Sequence, residues 1–431
     1  MEIDLNKIKK VHFVGIGGIG ISAIARLMQI KGVAVSGSDN SSSPVTEALI
    51  SAGANIFYKH EAQNVTKDID LVIYTIAVDN KNPEIKQAKK YKISIFSYPQ
   101  MLGIISKNMF TIAISGTHGK TTTTAMLSKI LIDSKLDPTV IVGSILKDVN
   151  SNLIVGKSNY FVVEACEYRR SFLNLFPKIL VITNVDLDHL DYYKDMRDIQ
   201  SAFRKLALRI PKNGAIICNK NDIRLKPVIK NLRCKIIDYI PYTNIKISLK
   251  APGNHNIQNS AASMAVADFL KVNKKNTTKS LEKFNGTWRR FDFKGKTKPG
   301  ARIYDDYAHH PKEITSALSG MKEKYPKLKR VAFFQPHLYS RTKLLLNEFT
   351  NSFGDVDEVY ILPIYAAREK FDRSINSKML VEKIREKQKN VFYVKSFSDA
   401  VKLINNFNKN CVVMNIGAGD IYKLSELVVS K

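Results

Sequence analysis

The most informative part of this sequence is Ser115-Gly116-Thr117-His118-Gly119-Lys120-Thr121-Thr122, which directly follows the apolar segment Phe110 to Ile114. The pattern predicts a phosphate-binding loop between a β-strand and an α-helix. In such a loop backbone N–H groups face phosphate oxygens, Lys120 can bridge the outer phosphates, and a threonine hydroxyl can bind Mg²⁺. The common loop has a glycine five residues before Gly119, where this chain has Ile114, so we interpret it as a shortened variant. The stretch indicates that the protein uses ATP and Mg²⁺.

Length and composition are those of a large globular protein. A chain of 431 residues suggests about three domains, at roughly 150 residues per domain. The hydrophobic fraction is 44%, and no apolar run approaches the ~18 residues that a membrane helix requires. The start of the chain lacks the apolar core of a signal peptide. We therefore expect no membrane span and a cytoplasmic location.

Neither the cysteines nor the net charge of +28 indicates a metal site or nucleic-acid binding. Cys166, Cys218, Cys234 and Cys411 have no metal-site spacing, so we expect reduced thiols. The lysines are spread along the whole chain, and no basic stripe interleaved with aromatic residues appears. A basic surface suits an enzyme with polyanionic substrates.

A second glycine pattern lies near the start of the chain. Gly15-Ile16-Gly17-Gly18-Ile19-Gly20 follows the strand pattern Val11-His12-Phe13-Val14. The spacing of Gly15, Gly17 and Gly20 fits the fingerprint of a dinucleotide-binding turn. Ser38-Asp39 ends the next predicted strand, close to the ~20-residue offset at which a carboxylate meets a ribose. The first domain is expected to end near residue 108.

Two further α/β domains are predicted. In the central one, residues 109–295, apolar strands alternate with helical stretches, which implies a buried parallel sheet. Lys294-Gly295-Lys296-Thr297-Lys298-Pro299-Gly300 is interpreted as a linker or turn, and residues 296–431 form the third domain. The predicted fold class is α/β with three domains.

Polar residues follow two strands of the central domain. Glu164 closes one predicted strand, and Asn184-Val185-Asp186-Leu187-Asp188-His189 follows the next. The carboxyl ends of parallel strands share an edge, so these residues should lie beside the phosphate loop. Mg²⁺ prefers few protein ligands together with phosphate and water, and Glu164, His189 and a loop threonine fit that need. Asp186, Asp188 and Asp191 are further candidates.

Other polar clusters lie farther along the chain. Asn254-His255-Asn256-Ile257-Gln258-Asn259 opens an alanine-rich helix, where its side chains could cap the helix or contact adenine. Asp305-Asp306-Tyr307-Ala308-His309-His310-Pro311 and Gln335-Pro336-His337-Leu338-Tyr339-Ser340-Arg341 each follow a predicted strand. Arginine can clamp a carboxylate and aspartate can hold an ammonium group, so we expect an anion or amine site there.

These blocks together resemble the Mur ligases across nearly the whole chain. The glycine pattern, the phosphate loop, Thr183-Asn184 with Asp188-His189-Leu190-Asp191, Gly253 to Asn256, the two clusters above and Gly417-Ala418-Gly419-Asp420-Ile421 occur in the family's order. The resemblance implies a Rossmann-like N-terminal domain (1–108) for the UDP part of a sugar nucleotide. It also implies a central ATP-binding domain (109–295) and a Rossmann-like C-terminal domain (296–431) for the amino acid.

Within the family, the pattern matches members that join L-alanine to the lactyl carboxylate of UDP-N-acetylmuramate in peptidoglycan synthesis. ATP would first convert the carboxylate to an acyl phosphate, which the amine then attacks.

The resemblance implies the following site residues. The catalytic ones are Lys120, Glu164, His189, Arg290 and His309, with Thr121, Glu164 and His189 around magnesium. The ATP site would contain Gly116, Thr117, His118, Gly119, Lys120, Thr121, Thr122, Asn256, Asn259 and Arg290. The UDP-sugar site would contain Gly15, Gly17, Gly18, Gly20, Ser38 and Asp39, and the amino-acid or muramyl site Tyr307, His309, His337 and Arg341.

The chain departs from the common family pattern at two places. Many members read Glu-Ala-Asp-Glu-Ser-Asp where this chain reads Glu164-Ala165-Cys166-Glu167-Tyr168-Arg169. Because Glu164 is kept, metal binding is expected to survive. Many members also have arginine where this chain has Leu338, which leaves the substrate contacts of that loop open.

Three alternatives remain at the level of sequence. A sibling enzyme of wall recycling attaches a tripeptide to the same sugar nucleotide and shares nearly all the blocks. An NAD-dependent oxidoreductase would rest on the glycine fingerprint alone, and a regulatory module would bind nucleotides without catalysis. The choice between monomer and weak homodimer, and among L-alanine, glycine and L-serine, is also open.

Overall fold

The computed structural model describes residues 3–189, 192–367 and 369–429. The chain divides into two compact units, Met1–Lys246 with Ser260–Leu281 and Ile247–Asn259 with Glu282–Lys431. The first unit contains two β-sheets and the second contains one. Helices lie between most of the strands, so the predicted α/β class with three sheet-based domains is confirmed. No helix within the described ranges is long and apolar enough to cross a membrane.

The first sheet has five parallel strands in the order β3-β2-β1-β4-β5. Its elements are β1 (Lys10–Val14), α1 (Ile19–Ile30), β2 (Ala34–Ser38), α2 (Pro44–Ser51), β3 (Asn55–Phe57), β4 (Leu71–Tyr74), α3 (Pro83–Lys90), β5 (Ser94–Ser97) and α4 (Tyr98–Lys107). The strand order reverses at β1, and ligands of open parallel sheets bind at such a reversal, beyond the carboxyl ends of the strands. The glycine pattern after β1 lies at this point.

The second sheet has seven strands in the order β12-β11-β10-β6-β9-β7-β8. Its elements are β6 (Phe110–Ser115), α5 (Lys120–Asp133), β7 (Thr139–Leu146), β8 (Ser151–Ile154), β9 (Tyr160–Glu164), β10 (Ile179–Ile182), α6 (Met196–Ala207), β11 (Ala215–Cys218), α7 (Lys226–Ile229) and β12 (Lys235–Asp238). The helices α8 (Asn254–Phe269) and α9 (Lys274–Lys283) follow. Only β8 runs antiparallel to its neighbour. Since β6 lies between β9 and β10, the residues that end these three strands meet at one edge.

The third sheet has six strands in the order β13-β14-β18-β15-β16-β17. Its strands are β13 (Asp292–Lys296), β14 (Arg302–Asp306), β15 (Lys329–Phe334), β16 (Glu358–Ile361), β17 (Val391–Tyr393) and β18 (Cys411–Ile416). Its helices are α10 (Pro311–Lys324), α11 (Tyr339–Leu344), α12 (Leu346–Phe349), α13 (Ser377–Arg385), α14 (Phe397–Ile404) and α15 (Lys423–Val428). The strands are parallel except β13, which pairs antiparallel with β14.

The predicted linker Lys294 to Gly300 was wrong in its first half. Lys294 to Lys296 belong to β13, and only the following residues turn the chain toward β14. The strand lies at the edge of its sheet, where lysines are common because they discourage pairing with other molecules. Its lysine and glycine content therefore resembles a linker in sequence. The domain boundaries at residues 108 and 295 remain predictions.

Candidate active site

The phosphate loop connects β6 to α5 and requires glycine at both ends. Gly119 precedes the helix with a left-handed φ of 85°, which residues with a β-carbon adopt only with strain. At Gly116 a β-carbon would collide with the hydroxyl of Thr183. The loop can therefore lie close against the chain that follows β10.

That neighbouring chain fixes the loop through Thr183 and Asn184. The Asn184 side chain accepts a hydrogen bond from the N–H of His118 at 2.9 Å and donates one to the His118 carbonyl at 3.1 Å. Thr183 Oγ1 also donates to that carbonyl, at 2.6 Å. The Asn184 carbonyl accepts from the N–H of Thr117. The block after β10 thus holds the phosphate loop in shape.

Lys120 is folded back onto its own loop. Its ammonium group donates to the carbonyls of Gly116 (2.5 Å) and Thr117 (3.0 Å), and it pairs with Glu167 at 2.9 Å. Burial by itself would lower the pKa of Lys120, but the nearby Glu167 and Cys166 outweigh it and raise the pKa above its usual value. Lys120 is therefore a cation held in place by Glu167, a residue to which the sequence analysis gave no role. Its only signal in the sequence was its place three residues after Glu164.

Glu164 ends β9 directly beside the loop, as expected. Its carboxylate accepts hydrogen bonds from Thr121 Oγ1 at 3.2 Å and from the N–H of Gly143 at 2.6 Å. A β-carbon at Gly143 would lie 2.8 Å from the carboxylate, so this close approach needs glycine. A hydroxyl and a carboxylate side by side are hard oxygen ligands of the kind that Mg²⁺ accepts alongside phosphate and water.

His189 lies near Glu167, the residue that pairs with Lys120. Its Nε2 is 3.9 Å from Glu167 Oε1, and its ring centroid is 4.7 Å from that of Tyr168. Asp188 Oδ2 is also 3.9 Å from His189 Nε2, and Asp186 pairs with an arginine. Asp191 lies outside the described residues. Within the described residues, no group of three or more His, Cys, Asp or Glu side chains could hold a metal.

The glycine pattern after β1 forms a compact turn in the first sheet. Gly15 adopts a φ of 79°, and Gly17 donates its N–H to Asp39 Oδ2 at 2.8 Å. A β-carbon at Gly20 would lie 2.7 Å from the ring of Tyr98. The three glycines thus allow the tight turn, the approach of Asp39 and the packing of the following helix. The carboxylate of Asp39 is used by the turn itself.

Ser38, a predicted UDP-sugar residue, is buried in a polar network around Glu84. Its hydroxyl donates to Glu84 Oε2 at 2.7 Å, and His60 Nδ1 lies 2.8 Å from the same oxygen. His12 and Asn64 contact Glu84 Oε1 at 3.2 and 2.8 Å. Burial tends to raise the pKa of Glu84, but these hydrogen bonds outweigh burial and lower it. The Ser38 side chain therefore contributes to the interior of this domain.

The predicted adenine residues lie at the start of α8. Asn256 and Asn259 are both buried. The Asn256 side chain donates to the carbonyl of Pro252 at 2.8 Å, which closes the first turn of the helix. Burial beside Arg290 lowers the pKa of His255 to about 4, so this imidazole is neutral at physiological pH.

In the second unit, three neighbouring parallel strands end at one edge and bring the predicted amino-acid residues together. These strands are β14, β18 and β15. The ring centroids of Tyr307 and His309 are 5.5 Å apart, and those of His309 and His337 are 5.9 Å apart. Arg341 Nη1 lies 3.1 Å from His337 Nδ1. Tyr365, which sequence reasoning missed, stacks on His337 at 5.9 Å. Nothing in the local sequence distinguished Tyr365 from a surface tyrosine.

Arg289 is the second residue that the sequence analysis missed in this unit. Its guanidinium lies among the rings of Trp288, Tyr307 and Tyr422, at 4.8 to 5.4 Å, and donates to the Gly417 carbonyl. The guanidinium of the predicted residue, Arg290, lies over the Tyr307 ring, 5.1 Å from its centroid. Adjacent arginines cannot be ranked from sequence, whereas the structure shows three aromatic rings in contact with Arg289. The contact with Arg289 holds the Tyr307 ring in place.

Leu338 and Asp305 also shape this edge. Leu338 has a φ of 73°, and its N–H donates to the Tyr365 carbonyl. Its side chain is buried, so the leucine that replaces the common arginine contributes to packing. Asp305 accepts hydrogen bonds from Ser425 and Asn415. Burial raises the pKa of Asp305 to about 7, despite these contacts.

The parallel sheet, the glycine loop after β6, Lys120 and the carboxylate at the end of β9 define a phosphate-loop α/β protein. Three family models match the chain in order. They are the Mur ligase family, catalytic domain, over residues 10–109, the Mur ligase middle domain over 114–243, and the Mur ligase, glutamate ligase domain, over 289–419. The chain belongs to the Mur ligase family.

Individual relatives agree with the family assignment. A UDP-N-acetylmuramate–L-alanine ligase from Clostridium kluyveri is 42% identical over 459 aligned residues, which cover 100% of both chains. The solved structure of UDP-N-acetylmuramate-alanine ligase MurC from Thermotoga maritima has a TM-score of 0.82 and 30% identity, with 97% of each chain covered. A murein peptide ligase from Psychrobacter arcticus has a TM-score of 0.72 at 22% identity, covering 98% of this chain and 100% of that one. The last likeness concerns the fold alone.

Proposed function

We propose that this protein is an ATP-dependent ligase that joins L-alanine to the lactyl carboxylate of UDP-N-acetylmuramate in peptidoglycan synthesis. The observation that carries the proposal is the 42% identity, over the full length of both chains, with the C. kluyveri enzyme of that name. The site is consistent with this chemistry, because a phosphate loop with Lys120 lies beside Glu164 and Thr121. The use of ATP and the absence of a membrane-crossing helix among the described residues fit action in the cytoplasm.

The reaction would proceed in two steps. A lactyl carboxylate oxygen attacks the γ-phosphorus of ATP, which forms the acyl phosphate and releases ADP. The amine of L-alanine then attacks the carbonyl carbon, phosphate leaves with the bonding electrons, and the nitrogen loses a proton to water. Lys120 would exchange Glu167 for the transferring phosphoryl group, where its charge stabilises the transition state.

Thr121 and Glu164 would hold Mg²⁺ in this site, since their oxygens lie 3.2 Å apart at the edge of the loop. When bound, the ion would offset the charge of the phosphate oxygens. His189 belongs to the predicted metal set, but its contacts in the structure are with Glu167, Asp188 and Tyr168. We therefore rank Thr121 and Glu164 above His189 as ligands.

The remaining site residues are assigned by the match of their motifs to the Mur ligase pattern. Asn256 and Asn259 would face adenine and Arg290 the ATP phosphates. The glycine turn from Gly15 to Gly20 would receive the UDP diphosphate at the N-terminus of α1, which begins within it. Tyr307, His309, His337 and Arg341 would bind the alanine or muramyl group, and the contacts among them support a common site.

The test is phosphate release from ATP with Mg²⁺ and UDP-N-acetylmuramate, compared for L-alanine, glycine, L-serine, the wall tripeptide and no amine. We expect release that depends on both the sugar nucleotide and L-alanine. Dependence on the tripeptide would instead assign the protein to wall recycling. Nucleotide binding without any release would contradict the ligase proposal.

A further inference from the structure

Two consecutive arginines adopt a strained backbone conformation beside the phosphate loop. In the 3₁₀ segment Tyr168–Asn174, Arg169 has φ and ψ of 50° and 29°, and Arg170 has 56° and 24°. Both lie in the left-handed region, which costs a residue with a side chain about 1–3 kcal/mol, and strained residues of this kind cluster at active sites and ligand contacts. Glycine would relieve the strain at either position, so the arginine side chains are the feature to explain.

One end of this segment is attached to the phosphate loop. Glu167, which pairs with Lys120, precedes it directly, and the Glu167 carbonyl accepts hydrogen bonds from the N–H of Arg170 at 2.8 Å and from Tyr193 Oη at 2.5 Å. The position of Arg169 is therefore fixed relative to Lys120.

The side chain of Arg169 reaches the other nucleotide site of the same unit. Its Nη1 donates to the carbonyl of Ile76 at 3.2 Å. Ile76 belongs to the loop after β4. In the same loop, the N–H of Thr75 donates to the carbonyl of Val14 at 3.0 Å. A β-carbon at Gly15 would collide with the Thr75 side chain, so this loop packs directly on the glycine turn. Arg169 thus connects the phosphate loop with the glycine turn.

The two arginines differ in what they contact. Arg170 is paired with Asp198 at 2.5 Å and lies over the ring of Tyr193, so its charge is balanced within the fold. Arg169 is exposed, and the contacts described for its guanidinium are the Ile76 carbonyl and the Tyr168 ring at 5.5 Å. Neither the carbonyl nor the ring carries a net charge. Arg169 therefore presents a cation between two candidate phosphate sites.

We propose that Arg169 binds an anionic oxygen group of the sugar nucleotide, either its diphosphate or its lactyl carboxylate. The inference rests on the proposed function, since it assumes that UDP-N-acetylmuramate lies across the glycine turn and the phosphate loop. A guanidinium binds carboxylate or phosphate oxygens through paired hydrogen bonds, and the left-handed turn directs it toward the glycine loop. Many family members have aspartate at this position, so the contact is a property of this chain's variant.

The test measures the dissociation constants of UDP, UDP-N-acetylmuramate and ATP separately by calorimetry. Arg169→Gly removes the guanidinium but suits the left-handed backbone, so the variant is expected to fold. Arg169→Lys keeps a charge without the paired geometry. The matched control is Lys92→Gly, which removes a cation from another exposed position with a left-handed φ, before β5.

We expect Arg169→Gly to weaken UDP-N-acetylmuramate binding about tenfold, since hydrogen bonds to charged groups contribute on that scale. ATP binding should stay unchanged, Arg169→Lys should recover part of the loss, and Lys92→Gly should match wild type. Equal weakening of UDP would identify the diphosphate as the partner, and weakening of the complete sugar nucleotide alone would identify the carboxylate.

Wild-type affinity in Arg169→Gly, with ligase activity present in the wild type, would overturn the role of Arg169 alone. A wild-type protein that binds neither UDP ligand would overturn both this inference and the proposed function.

Discussion

Replacing Glu167 with glutamine should destabilise the region around the phosphate loop. The Glu167 side chain is 3% exposed, and its carboxylate lies 2.9 Å from Lys120 Nζ, whose side chain is 15% exposed. Glutamine keeps the size of the side chain and one carbonyl oxygen but removes the negative charge. Lys120 would then stay buried with the neutral carbonyls of Gly116 and Thr117 as its main partners.

The magnitude follows from these contacts. Removing one partner of a buried ion pair costs about 3–5 kcal/mol when the other charge is left alone. Lys120 keeps two carbonyl contacts, so we expect a loss of about 1–3 kcal/mol in the free energy of unfolding. Because the folded-state pKa of Lys120 is raised, this stabilisation is fully present below its ordinary pKa of 10.5 and is lost as the pH rises through the folded value.

The assay is a double-mutant cycle of Glu167→Gln and Lys120→Met, measured by urea unfolding at neutral pH without nucleotide. The control cycle uses Lys129 and Asp133, a more exposed pair at 2.8 Å on the same helix, for which we expect a coupling of about 0.5 kcal/mol or less. A coupling between Glu167 and Lys120 no larger than this control would refute the argument that burial makes the pair strong.

Three further predictions concern the candidate sites. Lys120→Ala should lower kcat for phosphate release ~10²-fold or more and leave UDP-N-acetylmuramate affinity near normal, because a transition-state charge partner is lost; near-normal turnover would remove Lys120 from catalysis. Gly143→Ala should displace Glu164, since a β-carbon would lie 2.8 Å from its carboxylate, and raise the Mg²⁺ concentration for half-maximal activity about tenfold. An unchanged Mg²⁺ dependence in a correctly folded variant would contradict the role of Glu164. Burial raises the pKa of Asp305 from 3.8 to about 7, so the folded wild type should lose at most about 4 kcal/mol of stability as the pH rises through that window. The Asp305→Asn variant has no carboxyl group at this position and should not show this loss. A difference in the free energy of unfolding between the variant and the wild type that does not change with pH would disprove the argument.

The strands around the phosphate loop were predictable because they are buried on both faces. Such strands appear in sequence as continuous apolar runs, and β6, β9 and β10 were all recognised in this way. Their parallel arrangement then predicted that Glu164 would lie beside the loop, as the structure shows. The edge strand β13 has no such signal, because most of its residues are exposed or half-buried.

Individual contacts in the sites were less predictable. Ser38 and Asp39 follow the glycine turn at the expected spacing, yet one is bonded to Glu84 and the other to Gly17. Spacing along the chain gives the position of a residue on a strand, but the direction and partners of its side chain depend on neighbouring elements. The predicted roles of both residues in UDP-sugar binding therefore remain predictions.

The sequence by itself determined the α/β class, the phosphate loop and the set of family blocks, because each depends on residues that are close together along the chain. Only the tertiary structure decided that Lys120 pairs with Glu167, 47 residues away, and that His12 contacts Glu84, 72 residues away. It also enclosed Arg289 rather than Arg290 among three aromatic rings. Such contacts join residues that are distant in sequence, and packing of the strands and helices sets their geometry.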